Sequence, residues 1–135
     1  MNAQSENRPL CLRCKTSELI ALPSPQDIAF FECPRCQRQF ARKPGAALSF
    51  RWLHPITVAL YPVIFDENPV QRCEQIAAAI VKKDSSEQIK QLVQEITLEL
   101  DDPTQQFREV MDCRASEEDL RKYLRCLADR LGKTA

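Results

Sequence analysis

The stretch FECPRCQRQF, residues 31–40, places two cysteines two residues apart among aromatic and basic side chains. A second pair lies in LCLRCK, residues 10–15, and 18 residues separate the two pairs. This spacing is typical of four-thiolate metal sites rather than of disulfide frameworks. The sequence therefore predicts one metal site whose ligands are Cys11, Cys14, Cys33 and Cys36.

Length and composition restrict the class of protein. The 135 residues, 44% of them hydrophobic, suit one ordinary domain or two small ones with a modest core. The start MNAQSENRPL does not resemble a secretory signal, and no run approaches the roughly 18 apolar residues of a membrane span. We therefore expect a cytoplasmic protein without membrane contact. In such a reducing compartment, paired cysteines favour metal over disulfides.

The first half of the chain has the pattern of short strands joined by turns. The segments ELIAL and DIAFFEC flank the proline-rich PSPQ, and RQFAR and ALSFRW flank KPGA. Pro44 and Gly45 suit the central positions of a type II turn. The pattern predicts a small antiparallel sheet with the metal site at one end.

Two CxxC pairs on either side of such a hairpin resemble the zinc ribbon, over about residues 9–53. The resemblance implies one structural Zn²⁺ per chain, held tetrahedrally so that no coordination position stays open. Many zinc ribbons have glycine after the second cysteine of each pair, because that position often has positive φ; here it is Lys15 and Gln37. Redox alternatives remain, either a rubredoxin-type iron site or a thioredoxin-like CxxC. The first usually has those glycines and a longer spacing, and the second needs a strand-to-helix setting.

The second half changes to a helical period. Helices are predicted over about 69–83 and 86–101, the second with a capping box at Ser85 and Gln88. A short third helix follows, and a fourth begins after Ser116 and ends at Gly132. Residues 67–132 are thus predicted to form a bundle of three to four helices.

The predicted fold class is α+β, a small antiparallel β zinc ribbon followed by a helical bundle. Residues 1–8 are expected to be a flexible N-terminus and 133–135 a tail. The apolar segment 54–66 is expected to pack between the two halves, because its density of large apolar residues exceeds that of an exposed linker.

A basic and aromatic stretch raises the possibility of nucleic-acid binding. Cations that reach phosphate beside rings that stack on bases are typical of such surfaces. The candidate residues are Arg38, Arg42, Lys43, Arg51 and Trp52, and the four cations should then share one face. Alternatively, the aromatic residues form the core of the sheet and the cations offset the charge of the thiolates.

The remaining candidates give no catalytic constellation. His54, the one histidine, is interpreted as a packing or surface residue rather than a fifth ligand or a general base. Cys73, Cys113 and Cys126 are interpreted as small buried hydrophobic residues rather than reactive thiols.

We therefore expect a non-enzymatic zinc-binding protein that acts as a protein-interaction adaptor, with a protein partner or self-association and no evident small-molecule substrate. The alternative is a nucleic-acid-binding or transcription- or translation-associated protein. An adaptor should expose an apolar patch on the helical half or on segment 55–65.

Overall fold

The structure is a computed structural model that describes residues 9–24, 27–51 and 54–134, without the side chains of residues 109, 110 and 134. The chain divides into two compact units, one ending at His54 and one beginning at Pro55. The first contains an antiparallel sheet and the second contains helices, so the predicted α+β class is confirmed.

The N-terminal unit contains a four-stranded antiparallel sheet in the order β1-β2-β3-β4. The strands are β1 Ile20–Leu22, β2 Ala29–Glu32, β3 Gln39–Arg42 and β4 Ser49–Phe50. Phe31 lies opposite Phe40, and Phe40 lies opposite Phe50. These three rings are buried with Leu19 on one face of the sheet, because alternate residues of a strand point to the same side.

The turn between β3 and β4 has the predicted chemistry. Gly45 has φ +74°, and the Ala46 N–H donates to the Lys43 carbonyl over 3.0 Å. A residue at the third position of a type II turn needs positive φ, which glycine adopts without steric cost. The type II turn is confirmed, although β4 covers only two residues of the segment ALSFRW.

Within the described residues, the C-terminal unit contains five α-helices. They are α1 Pro55–Leu60, α2 Cys73–Lys83, α3 Ser86–Asp101, α4 Phe107–Val110 and α5 Glu117–Thr134. No described helix combines the length and the apolar composition that crossing a bilayer requires.

Two predicted helix boundaries are wrong. Residues Pro69–Arg72 form a 3-10 turn, and the α-helix begins only at Cys73. Gly132 does not end the last helix, which continues to Thr134. Glycine terminates a helix by adopting positive φ, and among described glycines only Gly45 does so.

The start of α3 is defined by the predicted capping box. The Gln88 N–H donates to the Ser85 Oγ over 3.2 Å, and the Ser85 N–H donates to the Gln88 Oε1 over 2.9 Å. The two bonds satisfy backbone donors that have no partner within the helix. At the start of α5, the Asp119 N–H donates to the Ser116 Oγ over 3.1 Å, so one backbone donor is satisfied there.

Four leucines on one face of α5, its leucine stripe, form the centre of the helical core. Leu120, Leu124, Leu127 and Leu131 are fully buried. The connecting segment contributes Ile56, Leu60 and Val63 to the same core. The Tyr123 hydroxyl donates to the Ala59 carbonyl over 2.8 Å, so a buried polar group of α5 is satisfied by α1. The expectation that this segment packs between the halves stays a prediction.

Candidate metal centre

Each CxxC pair forms a tight turn whose backbone amides point at sulfur. In the first turn the Cys14 N–H donates to the Cys11 Sγ over 3.3 Å, and the Lys15 N–H donates to the Cys11 carbonyl over 2.8 Å. The second turn has the same bonds: the Cys36 N–H reaches the Cys33 Sγ over 3.4 Å, and the Gln37 N–H reaches the Cys33 carbonyl over 2.9 Å. N–H···S bonds of this kind stabilise a thiolate.

The residue that follows each pair adopts positive φ, as the resemblance to zinc ribbons implies. Lys15 has φ 68° and Gln37 has φ 65°, the only positive values at non-glycine positions within the described residues. Residues with a Cβ adopt this region at a cost of about 1–2 kcal/mol each. Lys15 and Gln37 are therefore strained in the folded protein. Other interactions of the folded unit must offset this unfavourable free energy.

We expect the double substitution Lys15→Gly and Gln37→Gly to stabilise the metal-bound N-terminal unit by up to about 1 kcal/mol per site, because glycine removes the Cβ strain and loses part of that gain to its unfolded-state entropy. Thermal unfolding of the zinc-loaded protein measures the change. Thr16→Gly is the matched control, because Thr16 is a neighbouring exposed residue without positive φ. This substitution should destabilise the N-terminal unit. If the double glycine variant and Thr16→Gly lost stability equally, positive φ would not be a source of strain at Lys15 and Gln37.

The four predicted ligands come together. Their Sγ atoms all lie within 4.8 Å of one another, with 3.7 Å between those of Cys11 and Cys36 and 3.9 Å between those of Cys14 and Cys33. A regular tetrahedron with metal–sulfur bonds of roughly 2.3 Å has sulfur–sulfur edges of about 3.8 Å. Disulfide sulfurs lie about 2.05 Å apart, and all four cysteines are free thiols. The donor set and its spacing fit a tetrahedral metal ion.

The cluster is closed on its inner side by the core of the sheet. Cys11 and Cys33, the first residue of each pair, are buried together with Leu19, Phe31 and Phe40. Cys14 and Cys36 are half-buried. Four sulfurs complete a tetrahedral coordination sphere, so such a centre offers no position to water or substrate.

The thiols have strongly unequal affinities for protons. Burial raises the pKa of Cys33, but hydrogen bonds from the backbone amides of Cys36 and Arg35, together with those from the thiols of Cys36 and Cys11, outweigh it and lower the pKa to about 6. Burial and hydrogen bonds with the thiols of Cys36 and Cys11 raise the pKa of Cys14 to about 12. Several thiolates so close together repel one another, and a bound dication reverses this repulsion. The cluster therefore favours a cation electrostatically.

The basic and aromatic stretch lies on the same sheet, but two of its four cations, Arg42 and Arg51, are already in contact with rings. The Arg42 guanidinium lies 5.2 Å from the centre of the Phe31 ring, and the Arg51 guanidinium lies 4.2 Å from that of Phe30. Phe30 and Phe31 are consecutive residues of β2, so their side chains point to opposite faces. Arg42 and Arg51 thus do not share one face, as a phosphate-binding surface on the sheet would require.

The remaining contacts of this stretch give no further support for nucleic-acid binding. Arg51 also donates to the Gln39 Oε1 over 2.8 Å, and Gln39 donates to the Glu32 Oε1 over 3.0 Å. Lys43 is exposed, Arg38 is half-buried, and Trp52 lies outside the described residues. Nucleic-acid binding by this stretch stays a prediction.

His54 and the three remaining cysteines do not belong to the cluster. The group suited to a metal contains the four cysteines alone, as far as the described residues extend. His54 is buried and stacks on the Phe50 ring with 4.0 Å between ring centres. Cys73 and Cys113 are buried in the helical core, and the half-buried Cys126 packs against that core.

Replacing Cys73, Cys113 and Cys126 together with alanine is expected to leave the metal content of the protein unchanged. The helical unit should lose stability of about 1 kcal/mol per buried site, because a small apolar contact is lost at each. Elemental analysis and urea unfolding measure the two quantities. Less bound metal in a folded triple variant would mean that the ligands are misassigned.

The sequence pattern did not separate the buried from the exposed residues of segment 55–65. Ile56, Leu60 and Val63 are buried, whereas Val58, Tyr61 and Phe65 are 53%, 68% and 74% exposed. Successive members of the buried set are four and three residues apart, and those of the exposed set are three and four residues apart. Both spacings are those of one helix face. Helical periodicity applied to this segment would have separated a buried face from an exposed one.

No protein-family model, curated protein or solved structure matches this chain, so its functional assignment depends on the geometry and chemistry of its own residues.

Proposed function

We propose that the chain is a non-enzymatic zinc-binding protein, in which a structural zinc ribbon is followed by a helical module that acts as a protein-interaction adaptor. The observation that carries the metal part is the set of four sulfurs within 4.8 Å of one another. A structural role fits because four protein ligands leave no open position for a reacting group.

Zinc is preferred over iron within this proposal. A tetrahedral set of four thiolates suits either metal. The chain lacks the glycines and the longer spacing usual in rubredoxin-type sites, and the half-buried cysteines beside exposed Lys15 and Gln37 leave one side of the cluster near solvent. A zinc ion, which has no redox chemistry, tolerates such access to water and oxidants.

The adaptor part is supported by apolar side chains that the helical unit leaves exposed. Val58, Tyr61 and Phe65 form the exposed face of α1 and the residues that follow it. Aromatic residues are enriched at the centres of protein interfaces, and contiguous exposed apolar side chains commonly mark such sites. The exposure of these three side chains on segment 55–65 is the observation on which the adaptor proposal relies.

The adaptor proposal is tested by comparing the proteins captured from an extract of the source cells. We expect the Tyr61→Ser, Phe65→Ser double variant to lose partners that the wild type retains, because it removes the two most exposed rings of the patch. Val70→Ser, at a valine of the same unit that is 41% exposed, is the matched control and should retain them. Light scattering on the same proteins detects self-association.

Equal capture by all three proteins would contradict this surface as the binding site. A monomeric wild type that captures no protein would contradict the adaptor role. Binding to single-stranded DNA or RNA with a log–log salt slope of roughly −3, the value for about four neutralised phosphates, would support the nucleic-acid alternative instead.

A further inference from the structure

A second surface of the helical unit lies between α2 and α5, where the two helices form an open groove of about 910 Å³. Its floor is apolar and consists of Ala77, Ala78, Val81 and Cys126. Val81 on α2 is 43% exposed. Ala78 and Val81 are therefore apolar surface that the unit itself does not cover, beside the buried Ala77 and the half-buried Cys126.

The rim of the groove is basic. Five cations line it, from Lys82 on α2 and from Lys122, Arg125, Arg130 and Lys133 on α5. Only two acids line the groove with them, Glu74 and Asp129. Glu74 pairs with Arg130 over 3.9 Å, and Lys122 pairs with Glu118 beside the groove over 3.4 Å, which leaves Lys82, Arg125 and Lys133 against Asp129. The excess of positive charge around an apolar floor is complementary to a ligand with an apolar centre and acidic flanks.

We propose that this groove binds an acidic amphipathic helix of a protein partner. The proposal rests on the proposed function, that the helical unit binds protein, and specifies the chemistry of the partner. The partner helix lays its apolar stripe on the floor and directs Asp and Glu side chains at the cations of the rim.

The dimensions of the groove suit a helix of this kind. Helix α2 has 11 residues, which corresponds to a groove of roughly 16 Å, or about three helical turns of a partner. Ala77 and Ala78 on the floor have the smallest side chains with a Cβ, so a third helix can approach within the roughly 8–10 Å axial separation of packed helices. A partner segment would thus present apolar residues at i, i+3 or i+4, and i+7.

The direct test is an NMR titration of the ¹⁵N-labelled full chain with a synthetic peptide. The probe is an acetylated, amidated peptide of about four turns, with leucine at i, i+3, i+4 and i+7 and glutamate on both flanks. We expect amide shifts to concentrate in α2 and α5. A peptide with lysine in place of glutamate, and one with the same composition in scrambled order, should bind at least about tenfold more weakly.

Two pairs of neighbouring substitutions on α2 provide matched variants. Ala78→Glu introduces a charge on the floor and should weaken binding of the acidic peptide at least about tenfold, whereas Ala79→Glu, at an exposed residue outside the groove lining, should not. Lys82→Glu should weaken binding about two- to fivefold at low salt, whereas Lys83→Glu, also exposed and outside the lining, should have a smaller effect. Circular dichroism verifies that all four variants are folded.

The proposal is overturned if millimolar acidic peptide shifts no amide of α2 or α5, if the lysine peptide binds equally well, or if folded Ala78→Glu binds like Ala79→Glu. Protection of the groove by a second copy of the chain or by an oligonucleotide, rather than by the peptide, also overturns it.

The experiments distinguish failure of the groove proposal from failure of the adaptor proposal. If an extract yields a protein partner while the acidic peptide binds folded Ala78→Glu and Ala79→Glu equally, the adaptor role stands and the groove proposal is wrong. If the wild type captures no protein while the acidic peptide still distinguishes Ala78→Glu from Ala79→Glu, the groove specificity stands and the adaptor role is wrong.

Discussion

The substitution Cys33→Ser is expected to unfold the N-terminal unit and to leave most of the helical circular dichroism unchanged. Cys33 is fully buried and packs with Phe31 and Phe40, so its loss removes a metal ligand and a core contact together. Structural zinc sites in small domains contribute roughly 10–16 kcal/mol of apparent binding free energy, and a unit of this size has too little core without its metal. Limited proteolysis locates the unfolded residues.

Cys126→Ser is the matched control for this experiment, because it makes the same chemical change at a half-buried cysteine of the helical unit. It should leave both the metal content and the protease resistance of the N-terminal unit unchanged. If Cys33→Ser abolishes helicity as well, the two units unfold as one cooperative structure and their independence is wrong.

The reciprocal result is expected for Leu124→Ala, which should destabilise the helical unit by about 2–5 kcal/mol and leave bound zinc at one per chain. Leu124 is fully buried in the leucine stripe of α5. Removing its side chain loses apolar contacts and leaves a cavity that the packed helices fill only in part. Urea unfolding followed by circular dichroism, with zinc measured on the same samples, gives both quantities.

Val70→Ala controls for the loss of a branched side chain at a partly exposed position, and it should cost less than about 1 kcal/mol. A change of similar size in the two variants would contradict the central position of α5 in the core. Release of zinc from folded Leu124→Ala would show that the helical unit supports the metal site.

Features that depend on neighbouring residues were predictable from the sequence. The spacing of the cysteine pairs identified the candidate ligands, and the strain at Lys15 and Gln37 followed from the position that each occupies after its pair. Ser85 and Gln88 identified the start of α3, because a capping box is completed within four residues. Short-range chemistry of this kind does not depend on how the rest of the chain folds.

Features that depend on distant parts of the chain were not predictable in the same way. Phe30 and Phe31 are adjacent aromatic residues, so β2 has no alternation that would tell which ring enters the core or which face receives Arg42 and Arg51. Only the register with β3 decides this. The exposure of Val81 likewise depends on where α5 packs against α2, which helical periodicity in one segment does not specify.

The metal content of the purified 135-residue chain tests the proposed zinc centre most directly. Elemental analysis should return one zinc per chain, and the value should fall to near zero when Cys11 and Cys33 are both replaced by serine. Iron in place of zinc, no metal at all, or one zinc per chain retained in that double variant would contradict a zinc centre built from the two cysteine pairs.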